Sequence, residues 1–251
     1  MNNLVSVIMP YYNKRNYFFD SINSVLNQTY INLEILIIYD DKKKDDLEYI
    51  KSCIKNDSRT KIILNDKNRG VAFSRNKAIS AAQGKYIAFL DCDDYWEANK
   101  IEVQMNFMLT HGYDFSYTTY RVINSDGKIV DKIKARKKLE YNELLKSCDI
   151  GLSSVILKRK LLNNMKFPEL KTKEDFVLWL GLAKKSVNLA GLDKPLMFWR
   201  QTSNSLSSST LQKLKDAFKV YYLYEKKNFF YSIFCVIRLS TYALFKKINL
   251  Y

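Results

Sequence analysis

Short apolar runs alternate with amphipathic segments along the first third of the chain. The runs are rich in β-branched residues, which predicts buried strands over residues 4–9, 33–39, 61–65 and 85–91. Apolar positions at helical spacing predict helices between these strands, over residues 17–28, 47–54 and 71–82. Strands that alternate with helices through short connections predict an α/β fold, with a mainly parallel central sheet flanked by helices.

The second half of the chain has a less regular pattern. Residues 113–133 read as a hairpin that turns at Asp126-Gly127. The remaining elements are expected to be helices near 140–146, 174–185 and 210–225, and strands at SSVILK, 187–192 and 196–200. No linker separates two independent domains. We therefore expect one main domain over 1–205 and a helical C-terminal extension over 206–251.

Composition narrows the chemistry. The chain of 251 residues carries 41 Lys and Arg against 26 Asp and Glu, a formal charge of +15. This excess favours polyanionic partners, which include nucleic acid, anionic lipid and phosphorylated substrates. The 4 cysteines lack CxxC spacing, so a disulfide framework or zinc site is not expected. His111, the only histidine, precedes Gly112 as a helix cap would, so acid–base chemistry falls to carboxylates.

Polar residues follow each predicted strand of the first half, where ligands bind in parallel sheets. They are Pro10-Tyr11-Tyr12-Asn13, Asp40-Asp41, Asn65-Asp66 and Asp91-Cys92-Asp93-Asp94. Carboxylates that converge on one edge repel each other unless a cation or a hydrogen-bond donor joins them. PYYNKRN contains no glycine, which excludes a dinucleotide-binding turn or a P-loop after the first strand. A metal is therefore expected to hold phosphate.

Asp91 and Asp93 are the candidate metal ligands. Alternation along an extended segment puts both on one side, and Mg²⁺ or Mn²⁺ is typically held by one or two carboxylates together with substrate phosphates. The competing interpretation is an acidic turn before the next helix, with Asp94 as its N-cap.

Three segments of the first half resemble the family-2 group of inverting glycosyltransferases with the GT-A fold. They are VSVIMPYYN, SVLNQTYINLEILIIYDD and NRGVAFSRNKAISAAQGKYIAFLDCDD, in family order within residues 4–96. The resemblance implies a GT-A-like fold and transfer of a sugar, with inversion, from a nucleotide diphosphate donor. It also implies Mn²⁺ or Mg²⁺ as cofactor.

The family's nucleotide-binding positions carry over onto this chain. Tyr12 corresponds to the aromatic that stacks on the donor's base, with the backbone near Pro10 beside it. Asp40 corresponds to the acid that accepts a hydrogen bond from the base imide, which favours uracil or thymine and predicts a UDP-sugar. Arg75 corresponds to a residue near the nucleotide. Without the resemblance, core packing would explain Tyr12 and a surface ion pair would explain Arg75.

Further positions carry over near the metal and the acceptor. Asp91 corresponds to the acid near the ribose and Asp93 to the metal ligand. The segment EDFVLWLGL resembles the family's E-D element, in which Asp175 corresponds to the catalytic base. A carboxylate in a first helical turn also offsets the helix dipole, which is the competing explanation for Asp175. Arg200 and the serines at 205–208 resemble a tail element of many relatives, which either covers the diphosphate through a charge-assisted hydrogen bond or is a flexible polar loop.

One departure from the family pattern concerns the loop after the second strand. The family has a glycine after the paired acids, whereas here Lys42, Lys43 and Lys44 follow Asp41. The path of this loop and its contacts with the base are therefore not implied by the resemblance.

The C-terminal tail NFFYSIFCVIRLSTYALFKKINLY is aromatic and apolar, with lysine pairs on both sides. Arg238 near its centre disfavours a membrane span, so a helix lying on an anionic membrane surface is expected, with docking on the core or a second subunit as the alternative. The N-terminus shows no signal-peptide pattern. We expect a cytoplasmic enzyme, peripheral on the inner face of the membrane, that acts on a lipid-linked saccharide in the assembly of bacterial surface polysaccharide such as O-antigen or capsule.

Three alternatives remain at this point. A metal-dependent nucleotidyltransferase also sets carboxylates at strand ends, but it would carry a glycine- and arginine-rich loop after the first strand. A basic nucleic-acid-binding protein would fit the charge, but it would show basic patches with interleaved aromatics rather than acids at a sheet edge. A non-catalytic member of the transferase family is the third.

Overall fold

The computed structural model describes residues 3–147, 149–202 and 209–248. Strands and helices alternate in the first half, as the apolar pattern predicts. The elements are β1 (Val5–Tyr11), α1 (Arg15–Leu26), β2 (Leu33–Tyr39), α2 (Leu47–Ile54), β3 (Thr60–Leu64), α3 (Val71–Ala81), β4 (Tyr86–Phe89), β5 (Tyr95–Trp96) and α4 (Lys100–His111). β4 ends before Asp91, so the acids that follow it belong to a loop at the sheet edge.

The second half adds hairpins and further helices. Its elements are β6 (Phe115–Ile123), β7 (Ile129–Ile133), β8 (Lys138–Leu139), α5 (Tyr141–Leu144), β9 (Ile156–Lys158), α6 (Glu174–Lys184), β10 (Leu189–Arg200), α7 (Thr210–Lys219) and α8 (Phe229–Ile248). Two predicted strands merge into β10, which pairs with β6 through irregularities on either side of Pro195. The predicted helix over 210–225 is α7 followed by one π-helical stretch, Val220–Tyr224.

The strands form one mixed sheet in the order β3-β2-β1-β4-β9-β6-β10-β5, with β7 on β6 and β8 on β10. β3, β2, β1 and β4 are mutually parallel, which brings their carboxyl ends to one edge. β9 is antiparallel to both β4 and β6. This confirms the α/β fold with a mainly parallel central sheet in its first half.

Successive residues of the parallel strands pack on opposite faces, as the two-residue period of a strand requires. Val7 and Ile37 face a core shared with α1, α2 and α4. Ile8 and Ile38 face the other core, which includes α3 and α6. Because both faces are covered, β1 and β2 are apolar at nearly every position rather than alternating.

The C-terminal helix packs on the main body of the chain. Cys235 is fully buried and Leu239 nearly so in the core shared with α6. The guanidinium of Arg238 points inward and donates to the carbonyl of Leu145, at 3.0 Å. The predicted boundary at residue 205 lies outside the described residues, so the division into a main domain and an extension stays a prediction. Among the helices of the described residues, none has both the length and the hydropathy that a bilayer crossing needs.

Candidate active site

A cleft of about 770 Å³ opens at the carboxyl ends of the parallel strands. The predicted site residues that the structure describes all line this one cleft: Pro10, Tyr12, Asp40, Arg75, Asp91, Asp93, Asp175 and Arg200. The acids from separate strand ends therefore meet around a common space. The serines at 205–208, predicted to follow Arg200 over the diphosphate, lie outside the described residues.

The carboxylate of Asp40 is oriented by the loop that precedes α3. Its Oδ1 accepts hydrogen bonds from Asn65 Nδ2 at 2.7 Å and from the backbone amide of Arg69 at 2.8 Å. Its Oδ2 accepts one from the amide of Gly70, also at 2.8 Å. Gly70 has a φ of 86°, a conformation that glycine adopts without strain. A carboxylate offers about four acceptor sites, and these bonds use three of them on Asp40.

Tyr12 is the exposed aromatic at the mouth of the cleft. Its side chain is 49% exposed, whereas the neighbouring Tyr11 is buried and donates to Asp46 at 2.7 Å. Core packing therefore does not explain Tyr12, and its ring is available to a flat ligand. Pro10, two residues before Tyr12 and within β1, contributes to the cleft wall.

Arg75 is buried in the floor of the cleft and joins two acids. One guanidinium nitrogen donates to Asp91 Oδ1 at 2.6 Å, and another makes an ion pair with Glu174. Its side chain is only 3% exposed, so the surface ion pair considered from the sequence is wrong. The three residues come from α3, the end of β4 and the start of α6, and the guanidinium fixes their relative positions.

Asp93 faces the same space and is paired with a lysine that the motif analysis did not single out. Lys14 Nζ lies 2.6 Å from Asp93 Oδ2. Burial raises the pKa of Asp93, and the Lys14 ammonium opposes that shift. Asp91 is the more exposed of the two acids, with 37% of its side chain accessible.

Asp94 and Arg200 mainly make hydrogen bonds between the chain segments that form the cleft. Asp94 is buried and accepts from the hydroxyl of Ser153 at 2.6 Å and from the amide of Arg200 at 3.0 Å. The helix that follows has Asn99 at its N-cap, so the N-cap interpretation of Asp94 is wrong. Burial raises the pKa of Asp94 well above its ordinary value.

The guanidinium of Arg200 is largely committed to the protein itself. Its Nε donates to the backbone carbonyl of Asp93 at 3.1 Å, and another nitrogen pairs with Asp20 at 3.1 Å. The side chain is therefore fixed beside the loop that carries the candidate metal ligand. A contact between Arg200 and a diphosphate stays a prediction.

Glu174 and Asp175 begin α6 with different surroundings. Glu174 is buried against Arg75, and its burial raises its pKa to about 7 despite the opposing guanidinium. Asp175 is half-buried on the cleft wall, and its Oδ1 accepts from the amide of Phe176 at 2.8 Å. Burial also raises the pKa of Asp175, while Arg75 acts in the opposite direction. Asp175 thus presents a carboxylate of increased basicity to the cleft.

The carboxylates of the cleft suit a divalent ion that the protein coordinates only in part. Among the described residues, no group of three or more His, Cys, Asp or Glu could by itself hold a metal ion. Asp93 nevertheless already accommodates a cation, the Lys14 ammonium, at contact distance. One or two carboxylates with an open side suit Mg²⁺ or Mn²⁺ whose remaining positions are filled by ligand phosphates and water. They do not suit an ion enclosed by protein alone.

Comparison with known proteins gives the same assignment for the fold. A sequence model of the family described as "Glycosyl transferase family 2" matches residues 6–169. The structure resembles that of S. aureus TarS 1-349 in complex with UDP-GlcNAc, with a TM-score of 0.70 and 22% identity. The likeness covers 88% of this chain but 65% of that one, so the chain spans less than two thirds of the TarS structure. These matches confirm the GT-A fold.

Two relatives in Escherichia coli are closer in sequence. WfgD, a UDP-Glc:alpha-D-GlcNAc-diphosphoundecaprenol beta-1,3-glucosyltransferase, is 42% identical over 219 residues, which are 86% of this chain and 85% of WfgD. WfaP carries the same description and is 39% identical over 211 residues, 84% of this chain and 82% of WfaP.

A second solved structure with a similar fold is a mannosyltransferase from Pyrobaculum calidifontis in complex with GDP-Man and Mn²⁺. The two structures have a TM-score of 0.66 at 13% identity, and the match covers 89% of this chain and 64% of the mannosyltransferase.

Proposed function

The chain belongs to glycosyl transferase family 2, and we propose that it transfers a sugar, with inversion, from a UDP-sugar to a lipid-linked saccharide during synthesis of a cell-surface polysaccharide. The observation that carries the proposal is the meeting of Asp40, Asp93 and Asp175 in one cleft at the sheet edge. The descriptions of WfgD and WfaP support the donor and acceptor classes. Because the chain belongs to this family, we no longer consider it a nucleotidyltransferase or a nucleic-acid-binding protein.

The donor's base is recognised by Tyr12 and Asp40. The half-exposed ring of Tyr12 stacks on the base, a contact that tolerates any flat heterocycle. The remaining acceptor site of Asp40 then selects a base that donates an imide N–H, as uracil does. The loop amides at Arg69 and Gly70 already hold this carboxylate in place. Little free energy is therefore needed to orient it when the donor binds.

Asp93 would hold Mg²⁺ or Mn²⁺, and the donor's diphosphate would bind beside this carboxylate. Such an ion, when bound, neutralises the charge that develops on the leaving diphosphate. Arg75, buried in the floor of the cleft, keeps Asp91 in position through their ion pair. Arg200, through its contact with the carbonyl of Asp93, fixes the path of the loop.

Asp175 acts as the general base. It accepts the proton of the acceptor hydroxyl as that oxygen attacks the anomeric carbon from the face opposite the diphosphate. Its raised pKa suits this role, because a base with a pKa nearer the working pH transfers protons more effectively. Glu174 is unsuited to it, since its carboxylate is engaged by Arg75 on the buried side of the helix.

The acceptor side of the cleft carries groups that suit a glycan attached to a phosphate. Trp199 is 37% exposed on the lining and offers a flat apolar surface to a sugar ring. Lys171 and Lys173 lie just before Asp175 and line the same opening. Their positive charge complements an acceptor diphosphate of the kind named for WfgD.

Attachment to the inner face of the membrane is the second part of the proposal. While one face of α8 packs on the core, its opposite face exposes Phe230, Phe234 and Ile237 at 82%, 54% and 57%. Positions i, i+4 and i+7 form a continuous stripe along a helix. Lys226 and Lys227 precede this stripe, and the chain carries a charge of +15. An apolar stripe beside lysines is typical of helices that lie in an anionic lipid surface.

A transfer assay on the full chain tests the catalytic proposal. UDP-, dTDP- and GDP-sugars would be offered with Mn²⁺ and a short-chain lipid diphosphate that carries N-acetylglucosamine. We expect Asp175→Asn to lower kcat by about 100-fold or more while leaving UDP affinity unchanged. Asp93→Ala should remove the dependence on Mn²⁺, and Asp126→Asn on the exposed hairpin turn serves as the matched control. Full activity in Asp175→Asn would rule out the assigned base.

A further inference from the structure

Both acids of the D-x-D segment are neutralised by the protein's own cations. Asp91 is paired with Arg75 and Asp93 with Lys14, each at 2.6 Å. The two cations differ in their freedom to move. Arg75 is buried and also held by Glu174, so it cannot leave Asp91 without leaving a second carboxylate unpaired. Lys14 is 22% exposed, and its one ion pair among the described residues is the contact with Asp93.

The position of Lys14 in the fold allows its ammonium to change its ion-pair partner. It follows Asn13, which has a φ of 48°, and it occupies the N-cap position of α1 without a capping bond from its side chain. Its backbone carbonyl accepts from the amide of Phe18 at 2.9 Å, which anchors the main chain. The flexible side chain can therefore swing within the cleft while the backbone stays in place.

We infer that Lys14 is the resident counter-ion of Asp93, which a divalent metal displaces, and that its ammonium then moves to the donor's diphosphate. The inference rests on the proposed metal site at Asp93. A free divalent ion entering alone would have to compete with Lys14 for the carboxylate and would bring two further positive charges next to it. A metal that arrives with a nucleotide diphosphate brings compensating negative charge, and the displaced ammonium gains a new partner.

Coupling between metal and nucleotide follows from this exchange. Metal binding without nucleotide should be weak, and nucleotide should strengthen it, because the diphosphate offsets the positive charge that the metal brings. By linkage, the metal strengthens nucleotide binding by the same factor. Lys14 is thus a positioning residue that neutralises Asp93 before the ligands bind and favours entry of the two ligands together.

Manganese binding tests the exchange without any measurement of activity. The free Mn²⁺ signal in electron paramagnetic resonance would be titrated with the full chain, with and without UDP. Removal of the competing ammonium in Lys14→Gln should raise Mn²⁺ affinity without UDP by about tenfold, the factor expected for a charge-assisted hydrogen bond. Lys14→Arg keeps the charge and should behave like the wild type.

Two controls separate this effect from a general change of charge. Lys51→Gln removes a lysine from an exposed pair with Glu48 and should leave Mn²⁺ binding unaltered. Adding Asp93→Ala to Lys14→Gln should abolish the gain, which ties it to this carboxylate.

The outcomes distinguish the inference from the proposal beneath it. If the wild type binds Mn²⁺ with UDP but Lys14→Gln shows the same affinities, the proposed displacement of Lys14 is wrong. The proposed metal site at Asp93 is then still supported. If neither protein binds Mn²⁺ in the presence of UDP, the metal site is overturned and the exchange with it.

Discussion

Arg75 donates a 2.6 Å hydrogen bond to Asp91 from a buried guanidinium. The contact joins α3 to the end of β4, and the second arm of the same side chain reaches Glu174 at the start of α6. A single buried cation thus links the donor side of the cleft to the helix that carries the proposed base. Both the stability and the chemistry of the cleft should depend on it.

Replacement of Arg75 by methionine should destabilise the fold. The variant leaves Asp91 and Glu174 without their cation, and removing one partner of a buried ion pair typically costs about 3 kcal/mol or more. Chemical denaturation would measure the free energy of unfolding. Lys51→Met, which breaks an exposed ion pair, should stay close to the wild type. Equal stability of the two variants would contradict a structural role for Arg75.

The pH dependence of transfer should reflect the buried carboxyls. Asp175 acts in its ionised form, and burial raises its pKa above the ordinary value of 3.8. Activity should therefore rise with pH, with its acid limb above the range of an exposed aspartate. Protonation of Glu174, whose pKa is about 7, changes the charge beside Arg75 and should contribute to the same limb.

Measurement of kcat/KM between pH 4 and 9 would locate this limb. Circular dichroism and UDP binding at each pH would separate a catalytic effect from unfolding or loss of donor. Activity that stays constant down to pH 5 would contradict a contribution from Glu174, and an acid limb no higher than that of an exposed aspartate would contradict a raised pKa for Asp175.

Tyr12 offers a test of base recognition. Removal of its exposed ring in Tyr12→Ala should weaken UDP binding by about tenfold, because base–aromatic stacking contributes about 1–3 kcal/mol. Tyr12→Phe keeps the ring and should bind like the wild type. Calorimetric titration with UDP would measure both, and thermal unfolding should be unchanged because the side chain is 49% exposed. Unaltered affinity in Tyr12→Ala would place the base elsewhere.

The parallel half of the fold could be predicted because its signals are local. Both faces of β1 and β2 are buried, so nearly every position is apolar, and the acids stand where the strands end. The insertion of β9 between β4 and β6 could not be predicted, since its three residues pair with strands more than thirty positions away.

The partners of the site residues were also beyond the sequence pattern. Lys14 lies 79 positions from Asp93, and Arg75 lies 99 positions from Glu174. Such pairs have no periodicity that a motif could reveal, and Lys14 is one basic residue among 41. Arg75 is buried because α3 meets the loop after β4 and the start of α6, an arrangement that only the assembled fold supplies.

The exposed stripe of α8 predicts binding to anionic membranes. Phe230→Ser, Phe234→Ser and Ile237→Ser in one variant remove the apolar contact without touching Cys235 or Leu239 on the packed face. Binding to phosphatidylglycerol vesicles, measured by co-sedimentation, should weaken by about tenfold or more, because each buried apolar side chain contributes about 1 kcal/mol or more. Vesicles of phosphatidylcholine should bind the wild type less, since the lysines then lack anionic headgroups.

A matched variant shows whether the position of the apolar residues matters. Ile31→Ser, Ile129→Ser and Val130→Ser remove side chains that are 79%, 54% and 52% exposed on other elements, so this variant should bind vesicles like the wild type. Transfer to a water-soluble acceptor should persist in both variants, because neither change reaches the cleft. If both variants lose vesicle binding equally, the attraction is general hydrophobicity and α8 has no special role. If the α8 variant keeps full binding, the stripe serves another partner.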